Sequence, residues 1–360
     1  MKRALLLFAL ILLVGCSAAQ TAQSPQPPQE AHEAIPVTPA VASSPPAAQP
    51  AAPSQAPAPV QPPTAVAAPT PTVSSFAGLT VEQYALGATL PDEGSPLRSS
   101  LYAKRAQWHG TVGPQIDQYN RLLAPFGYKI TDNEIVYTLY HNDQVVSAAL
   151  HGLASLSVNA RGDDFVLVAD TGSGSVLIRP GRAAESWDMP QHEYTAPVFV
   201  GNDLITVVRD AAETNTFPGI TAFSVWRGDA KAYSTQFTRD KIPNPVKALW
   251  AWQGHWVLEV DGDVLIDGKS MKAAQGYDEV FNWHLVAGKP FYFFTKGQKT
   301  SAVYDGQVAA EQYDEVPHYR CCSAGAYNAG ANQSMVWFYG KRDGQWSYVE
   351  MGEYVENLTK

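Results

Sequence analysis

The sequence predicts an all-β fold of short antiparallel strands for its C-terminal part. Three observations predict it. After Ile130 short apolar runs recur, each closed by Gly, Asp or Asn. A five-residue segment returns thirty-six residues after its first copy. The composition from Ser74 onward is that of a globular protein rich in aromatics, with no long low-complexity run. Regular short strands with turn signals belong to a sandwich, a barrel or a propeller.

The chain begins differently. Met1, Lys2 and Arg3 carry positive charge, and Ala4 to Val14 is apolar throughout. That is the layout of an export signal, and it falls short of the roughly 20 residues that span a bilayer core. The stretch Leu13-Val14-Gly15-Cys16 resembles the lipobox of bacterial lipoproteins. The resemblance implies cleavage before Cys16 and lipidation of its thiol, leaving residues 1–15 as signal peptide. It also implies a membrane partner through the N-terminal lipid and a domain on the extracytoplasmic side. Ser17 follows the cysteine and does not resemble an inner-membrane retention signal, which favours Asp there, so the expected place is the cell membrane or the outer membrane.

Residues 16–73 form the next segment. From Gln20 to Val73 the chain is Pro, Ala, Gln, Ser, Thr and Val, with Glu30 and Glu33 as its only acidic or basic charges. It holds more than half of the 27 prolines. Proline fixes φ and removes a donor, so neither helix nor sheet propagates. The segment therefore reads as a disordered tether with polyproline II character, reaching on the order of 150 Å when stretched.

Residues 74–134 read as a small N-terminal capping segment with one helix. Pro114 fits its first turn, and Ile116, Tyr119, Leu122 and Leu123 share a face. Pro125 and Gly127 end it. This segment caps the repeat domain or donates a closing strand to it. Strands follow in order: Ile135–Tyr140, Phe165–Ala169, Trp256–Val260 and Val264–Ile266, each ahead of an Asp, Asn or Gly turn.

The repeat places these strands in one architecture. Gly276-Tyr277-Asp278-Glu279-Val280 returns as Gln312-Tyr313-Asp314-Glu315-Val316. Ahead of each copy stand a strand, a turn, a second strand and an Asp-Gly: Asp267-Gly268 in one, Asp305-Gly306 in the other. A partial third copy runs from Met335 through Asp343-Gly344 to Met351. Its end, Lys341-Arg342-Asp343-Gly344-Gln345-Trp346, resembles WG repeats. Phe165 to Val176 is similar to the strand–turn–strand core of NHL-type propeller blades. Together these resemblances imply a β-propeller-like domain over 135–360, with room for about five four-stranded blades. A pair of β-sandwiches is the structural alternative.

Several groups invite a chemical reading. Asp170-Thr171-Gly172-Ser173 resembles an aspartic-protease motif, but that chemistry needs two carboxylates sharing a proton. No second such motif occurs, and a hairpin turn explains the same residues. Cys321 and Cys322 are the cysteines left once Cys16 is lipidated. Four readings stay open for them: a strained vicinal disulfide, two buried thiols, a metal or redox site with His318, or a bond to another chain. Trp250, Trp252 and Trp256 are candidate ligand-stacking aromatics, or else packing between blades. Asp163, Asp164, Asp261, Asp263 and Asp267 read as solvated turn residues. No catalytic set, metal set or cofactor motif emerges.

The formal net charge is −9. There is no basic stripe, which argues against a nucleic-acid partner. The expectation is a non-catalytic binding or scaffolding domain displayed from a membrane, with an envelope protein or glycan as ligand. The alternatives are an envelope hydrolase using Asp170 and a redox-sensing surface protein using Cys321 and Cys322.

Overall fold

Residues 69–108, 113–133, 136–187, 195–209, 219–239 and 246–352 are described by a computed structural model. Cys16 and the stretch read from sequence as an export signal lie outside them. Thr72 and Val73, read from sequence as the end of the tether, already belong to a strand.

Two strands come first, β1 (Thr72–Phe76) and β2 (Leu79–Gly87), followed by α1 (Pro96–Trp108) and α2 (Gly113–Leu123). The remaining strands fall into antiparallel sheets. Sheet 1 holds β3 (Tyr128–Asp132), β4 (Tyr137–His141) and β5 (Gln144–Leu150). Sheet 2 holds β6 (Gly152–Val158), β7 (Phe165–Asp170), β8 (Ser175–Ile178) and β9 (Glu185–Trp187). Sheet 3 holds β10 (Val198–Val200), β11 (Asp203–Arg209), β12 (Gly219–Arg227) and β13 (Ala230–Arg239). Sheet 4 holds β14 (Val246–Trp252), β15 (His255–Val260), β16 (Asp263–Ile266) and β17 (Lys269–Ser270), with the short helix α3 (Met271–Gln275) after it. Sheet 5 holds β18 (Glu279–Val286), β19 (Lys289–Lys296), β20 (Lys299–Tyr304) and β21 (Gln307–Tyr313).

Sheet 6 joins both ends of the domain. Its order is β1, β2, β24 (Gln345–Gly352), β23 (Met335–Arg342) and β22 (Gly330–Ala331). Strand β2 pairs with β24 from Thr80↔Gly352 to Gly87↔Trp346. It takes the outer place that β21 fills in sheet 5. The N-terminal segment thus supplies a strand to the last sheet.

Side-chain alternation shows that the sheets stack face to face. In β7, Phe165, Leu167 and Ala169 join a core cluster with sheet 1, while Val166 and Val168 join one with sheet 3. In β15, Trp256, Leu258 and Val260 face sheet 3, and Val257 faces sheet 5. In β19, Phe291 and Phe293 pack toward sheet 6 and Phe294 toward sheet 4. A strand covered on both faces must be apolar at nearly every position, which is why these runs lack a period-two pattern. Each such side chain contributes about 1.5–3 kcal/mol when fully buried. The result is an all-β, propeller-like arrangement of small sheets. Among the described residues six sheets occur rather than about five, the additional one being the three-stranded sheet 1.

The sequence repeat has a hydrogen-bonding reason. Asp278 donates its N–H to Thr295 O at 2.8 Å and accepts from Gly297 N at 2.7 Å. Asp314 donates to Lys341 O at 2.7 Å and accepts from Asp343 N at 2.8 Å. Each Tyr-Asp-Glu-Val copy therefore clamps the same hairpin turn, in sheet 5 and in sheet 6. The Asp-Gly pairs occupy tight turns with both residues at positive φ, such as Asp305 at 50° and Gly306 at 75°. Lys289 pairs with Asp305 at 2.9 Å, as His255 pairs with Asp267 at 2.5 Å.

Two helices stand where one was expected. The predicted one is α2, whose Tyr119 and Leu123 are buried against sheets 1 and 2. Asn120 of α2 bonds both backbone groups of Ile130, at 2.6 and 2.9 Å. The unexpected helix, α1, covers sheet 6 with Leu101, which packs among Tyr84, Tyr339, Trp346 and Tyr348.

If β2 completes the core between sheets 5 and 6, Leu79→Ala should destabilise the domain by about 2–5 kcal/mol, because Leu79 is 1% exposed there. Urea unfolding of the two proteins measures this. A change below about 0.5 kcal/mol would mean that the strand is peripheral.

Candidate functional site

Among the first strands of the sheets, β10 lies against both β6 and β14, and β18 lies against β22. Two cavities open along them. One, of about 260 Å³, lies between β14, β18 and the segment that enters β22. The other, of about 420 Å³, lies between β6, β10 and β14. Lys247, Ala248 and Trp250 of β14 line both.

A buried carboxylate organises the smaller cavity. Glu259 of β15 is 3% exposed. Its Oε1 accepts from the Tyr319 hydroxyl at 2.5 Å and from Asn282 N at 3.0 Å, and its Oε2 accepts from Trp283 N at 2.8 Å. Adjacent amides in a regular strand point to opposite sides. Here both reach one carboxylate because β18 is bulged between Phe281 and His284, with Asn282 at φ 54°. Asn tolerates this left-handed backbone better than most residues do. Burial raises the Glu259 pKa, while the three hydrogen bonds and the charge of His318 oppose the rise. The Tyr319 hydroxyl is pushed well above its ordinary value, by burial first and then by Glu259.

The cations around the cavity differ in what holds them. Arg320 pairs with Glu315. His318 faces Val316 O through Nδ1 at 2.7 Å and Glu279 through Nε2 at 3.1 Å, and its ring stacks on Phe281. Lys247 has no ion-pair partner among the described residues. Its ammonium lies 4.9 Å from the centre of the Tyr319 ring. Burial lowers its pKa, and the charges of Glu259 and Asp261 oppose that. His284 meets the Trp250 ring edge-on at 5.4 Å, and burial brings its pKa down to about 4.

The residues singled out in the sequence are dispersed. Trp250 and Trp252 pack on Trp283 with ring centres 5.1 and 6.3 Å apart, on the side of sheet 4 that faces sheet 5. Trp256 lies on the opposite side, 3% exposed, beside Tyr233. The three therefore form no common platform, and only Trp250 reaches the cavities. Asp170 is exposed in the β7–β8 turn, where its Oδ1 accepts from Gly172 N at 2.7 Å. Thr171 closes the same turn onto Gly174 O. Cys321 and Cys322 are free, exposed thiols with sulfurs 3.2 Å apart, in the segment that follows Arg320. Their exposure corrects the buried-thiol reading. Cys322 has φ 58°, and its pKa is raised by the hydrogen bond with Cys321. Asp164 pairs with Arg179, and Asp263 accepts from Lys272 N at 2.9 Å, so these acids serve local structure.

Sequence reading missed Glu259, Lys247, Asn282, His284, Tyr319 and Arg320. One signal was present: Glu259 is the single charged residue inside the apolar run Trp256–Val260. Among the described residues no three His, Cys, Asp or Glu side chains gather as a metal-ligand set. No described helix is long and apolar enough to cross a membrane.

The chain matches no protein family and no curated protein. It resembles solved propeller domains at a distance. The β-propeller domain of the trilobed protease from Pyrococcus furiosus, described as having an open velcro topology, is 9% identical with a TM-score of 0.31, over 64% of this chain and 78% of that one. The β-propeller domain of Myceliophteria thermophila Cps50 (Swd1) is 8% identical with a TM-score of 0.26, over 62% and 93%. Pyrococcus horikoshii acylaminoacyl peptidase is 12% identical with a TM-score of 0.29, over 64% and 43%. Likenesses this distant carry no information about activity.

The depressed His284 pKa has a measurable consequence. The unfolded chain takes up the proton near 6.5 and the folded one only near 4. Stability should be complete above pH 6.5 and fall as pH drops from about 6.5 to 4, by on the order of 3 kcal/mol from this group. Urea unfolding at pH 7 and pH 4.5 should show this fall in the parent chain and a smaller one in His284→Gln. Equal falls in both would place the acid sensitivity elsewhere.

Proposed function

We propose that this protein is a lipid-anchored extracytoplasmic lipoprotein whose propeller-like domain binds a ligand, without transforming it, at the cavities flanking β14. The observation that carries the binding reading is Lys247. It is a half-buried cation at the junction of two cavities, and no described carboxylate pairs with it, whereas Arg320 and His318 each have one. A long polar side chain held over an aromatic face, with its charge left for a visitor, is a recognition device. The site rests on strands fixed by cores on both sides, so binding requires little reordering, which favours affinity.

The placement of the domain is supported by sequence. The Lys2-Arg3 start, the apolar run and Leu13-Val14-Gly15-Cys16 favour lipidation at Cys16. One acyl chain anchors weakly and two or more hold firmly. The Pro/Ala-rich stretch then sets the domain away from the lipid surface, facing envelope glycans and proteins. The anchor and tether give the binding domain a place of work rather than a chemistry.

Two results test this reading. Cells given an alkyne-bearing palmitate should label the parent chain and not Cys16→Ser, and the variant should leave the membrane fraction. Against an array of envelope glycans, peptidoglycan fragments and envelope proteins, the full chain should bind at least one ligand, and Trp250→Ala should weaken that binding by about tenfold or more. An unlabelled parent chain would remove the anchor, and a silent array would remove the binding function.

A further inference from the structure

The larger cavity carries chemistry of its own. Its walls are mostly small side chains from β6, β10 and β14, with Trp250 and Lys247 at the boundary toward the smaller cavity. Its volume of about 420 Å³ lies within the range of about 300–1,000 Å³ typical of small-molecule sites. Two hydroxyls of residues that line it, both shielded from solvent, have no hydrogen-bond partner among the described residues: Thr195 Oγ1, on a residue 3% exposed, and Ser155 Oγ. A third wall hydroxyl, Ser157 Oγ, accepts from Phe199 N at 2.9 Å and is occupied by structure. Buried hydroxyls normally find partners, and one left without costs about 1–3 kcal/mol. Unsatisfied polar groups held in a packed scaffold are a feature of sites that complete their hydrogen bonds with a ligand.

We infer that the two cavities flanking β14 form one site for an acidic saccharide, such as a uronate-containing oligosaccharide or a muramic-acid glycan. The inference rests on the binding reading given above and names its ligand class. Three features of the site select this chemistry. The Thr195 and Ser155 hydroxyls suit a ligand that brings hydroxyls of its own. Trp250, partly buried against Trp283 and lining both cavities, brings an aromatic ring toward the apolar face of a sugar. Lys247 supplies a cation within reach of both cavities for a carboxylate. Glu259 lines the smaller cavity, whereas no acidic side chain lines the larger one, so the ligand carboxylate has its place at the Lys247 edge of the larger cavity.

Neutral sugars use the first two features and leave the third idle. Simple carboxylates use the third alone. A saccharide bearing a carboxylate uses all three. The inference also accounts for the fate of the tryptophan cluster. Of Trp250, Trp252 and Trp256, the one that reaches the cavities is the one that lines them together with Lys247.

The test uses the full chain, with tryptophan fluorescence and calorimetry as readouts. The probes are trigalacturonate, N-acetylmuramic acid, maltotriose and succinate. Trigalacturonate or N-acetylmuramic acid should bind at least about tenfold more tightly than maltotriose and than succinate. The tighter of the two identifies the source of the acid. Lys247→Met should abolish the preference over maltotriose. Thr195→Val should weaken acidic-sugar binding by about three- to tenfold while leaving the melting temperature unchanged or higher, since the hydroxyl it removes has no partner among the described residues. A fall in melting temperature without a loss of binding would assign Thr195 to structure and overturn its role here. Succinate binding as tightly as the acidic sugars would overturn the saccharide inference and leave the anionic binding site standing. Maltotriose binding equally well would overturn the role of the charge. Binding of none of the four would overturn the inference, and the ligand array described above decides separately whether the domain binds at all.

Discussion

The hydrogen bonds to the Glu259 carboxylate are the constraint on which the rest of the site depends. Taking a carboxylate out of water costs several kcal/mol, and partners that complete its lone pairs must offset that. Glu259 finds them on two other parts of the chain, the β18 bulge and Tyr319. Sheet 4, sheet 5 and the segment leading into sheet 6 are therefore held by one side chain. Hydrogen bonds to a charged group contribute about 1.5–3 kcal/mol each, so three suffice to keep it buried. Their geometry also fixes two backbone irregularities: Asn282 at φ 54° and Tyr319 at φ 54°. Non-glycine residues in this region persist where surrounding structure over-determines them.

From that post the site follows in order. Tyr319, anchored through its hydroxyl, presents its ring to the Lys247 ammonium. His318, one residue earlier, is stacked on Phe281 with both nitrogens facing oxygen acceptors. Lys247 then stands between two cavities with no ion-pair partner among the described residues. The propeller-like stacking contributes the frame: strands covered on both faces cannot slide without disturbing two cores. A ligand site built on such strands is preorganised, and affinity is not lost to ordering.

Much of the frame was legible in the sequence. Strands β7 and β15 declare themselves as apolar runs, and the Asp-Gly turns mark their ends. The Tyr-Asp-Glu-Val repeat was legible as a repeat, though its role as a hairpin clamp depends on backbone groups that no side-chain pattern encodes. The part played by β2 was less legible. Its pairing partner, β24, lies at the other end of the domain, and pairing across such separation leaves no local trace. Helix α1 escaped because its apolar positions are sparse and its burial is supplied by the aromatic face of sheet 6. The cavities escaped for the same kind of reason. Glu259 acquires meaning through amides 23 and 24 residues away and a hydroxyl 60 residues away. Lys247 acquires it through its place at the junction of two cavities, which only three-dimensional placement reveals. The tryptophans show the converse: close in sequence, they are divided between opposite faces of one sheet.

The measurement that bears most directly on this arrangement is amide hydrogen exchange at Asn282 and Trp283. In the parent chain these two amides should be among the slowest in β18, because each is bonded to the buried Glu259 carboxylate. In Glu259→Ala they should exchange faster by about tenfold or more, while amides in the core of sheet 2 keep their rates. Unchanged protection at Asn282 and Trp283 in the variant would show that the carboxylate does not hold the bulge, and the cleft would then need another foundation.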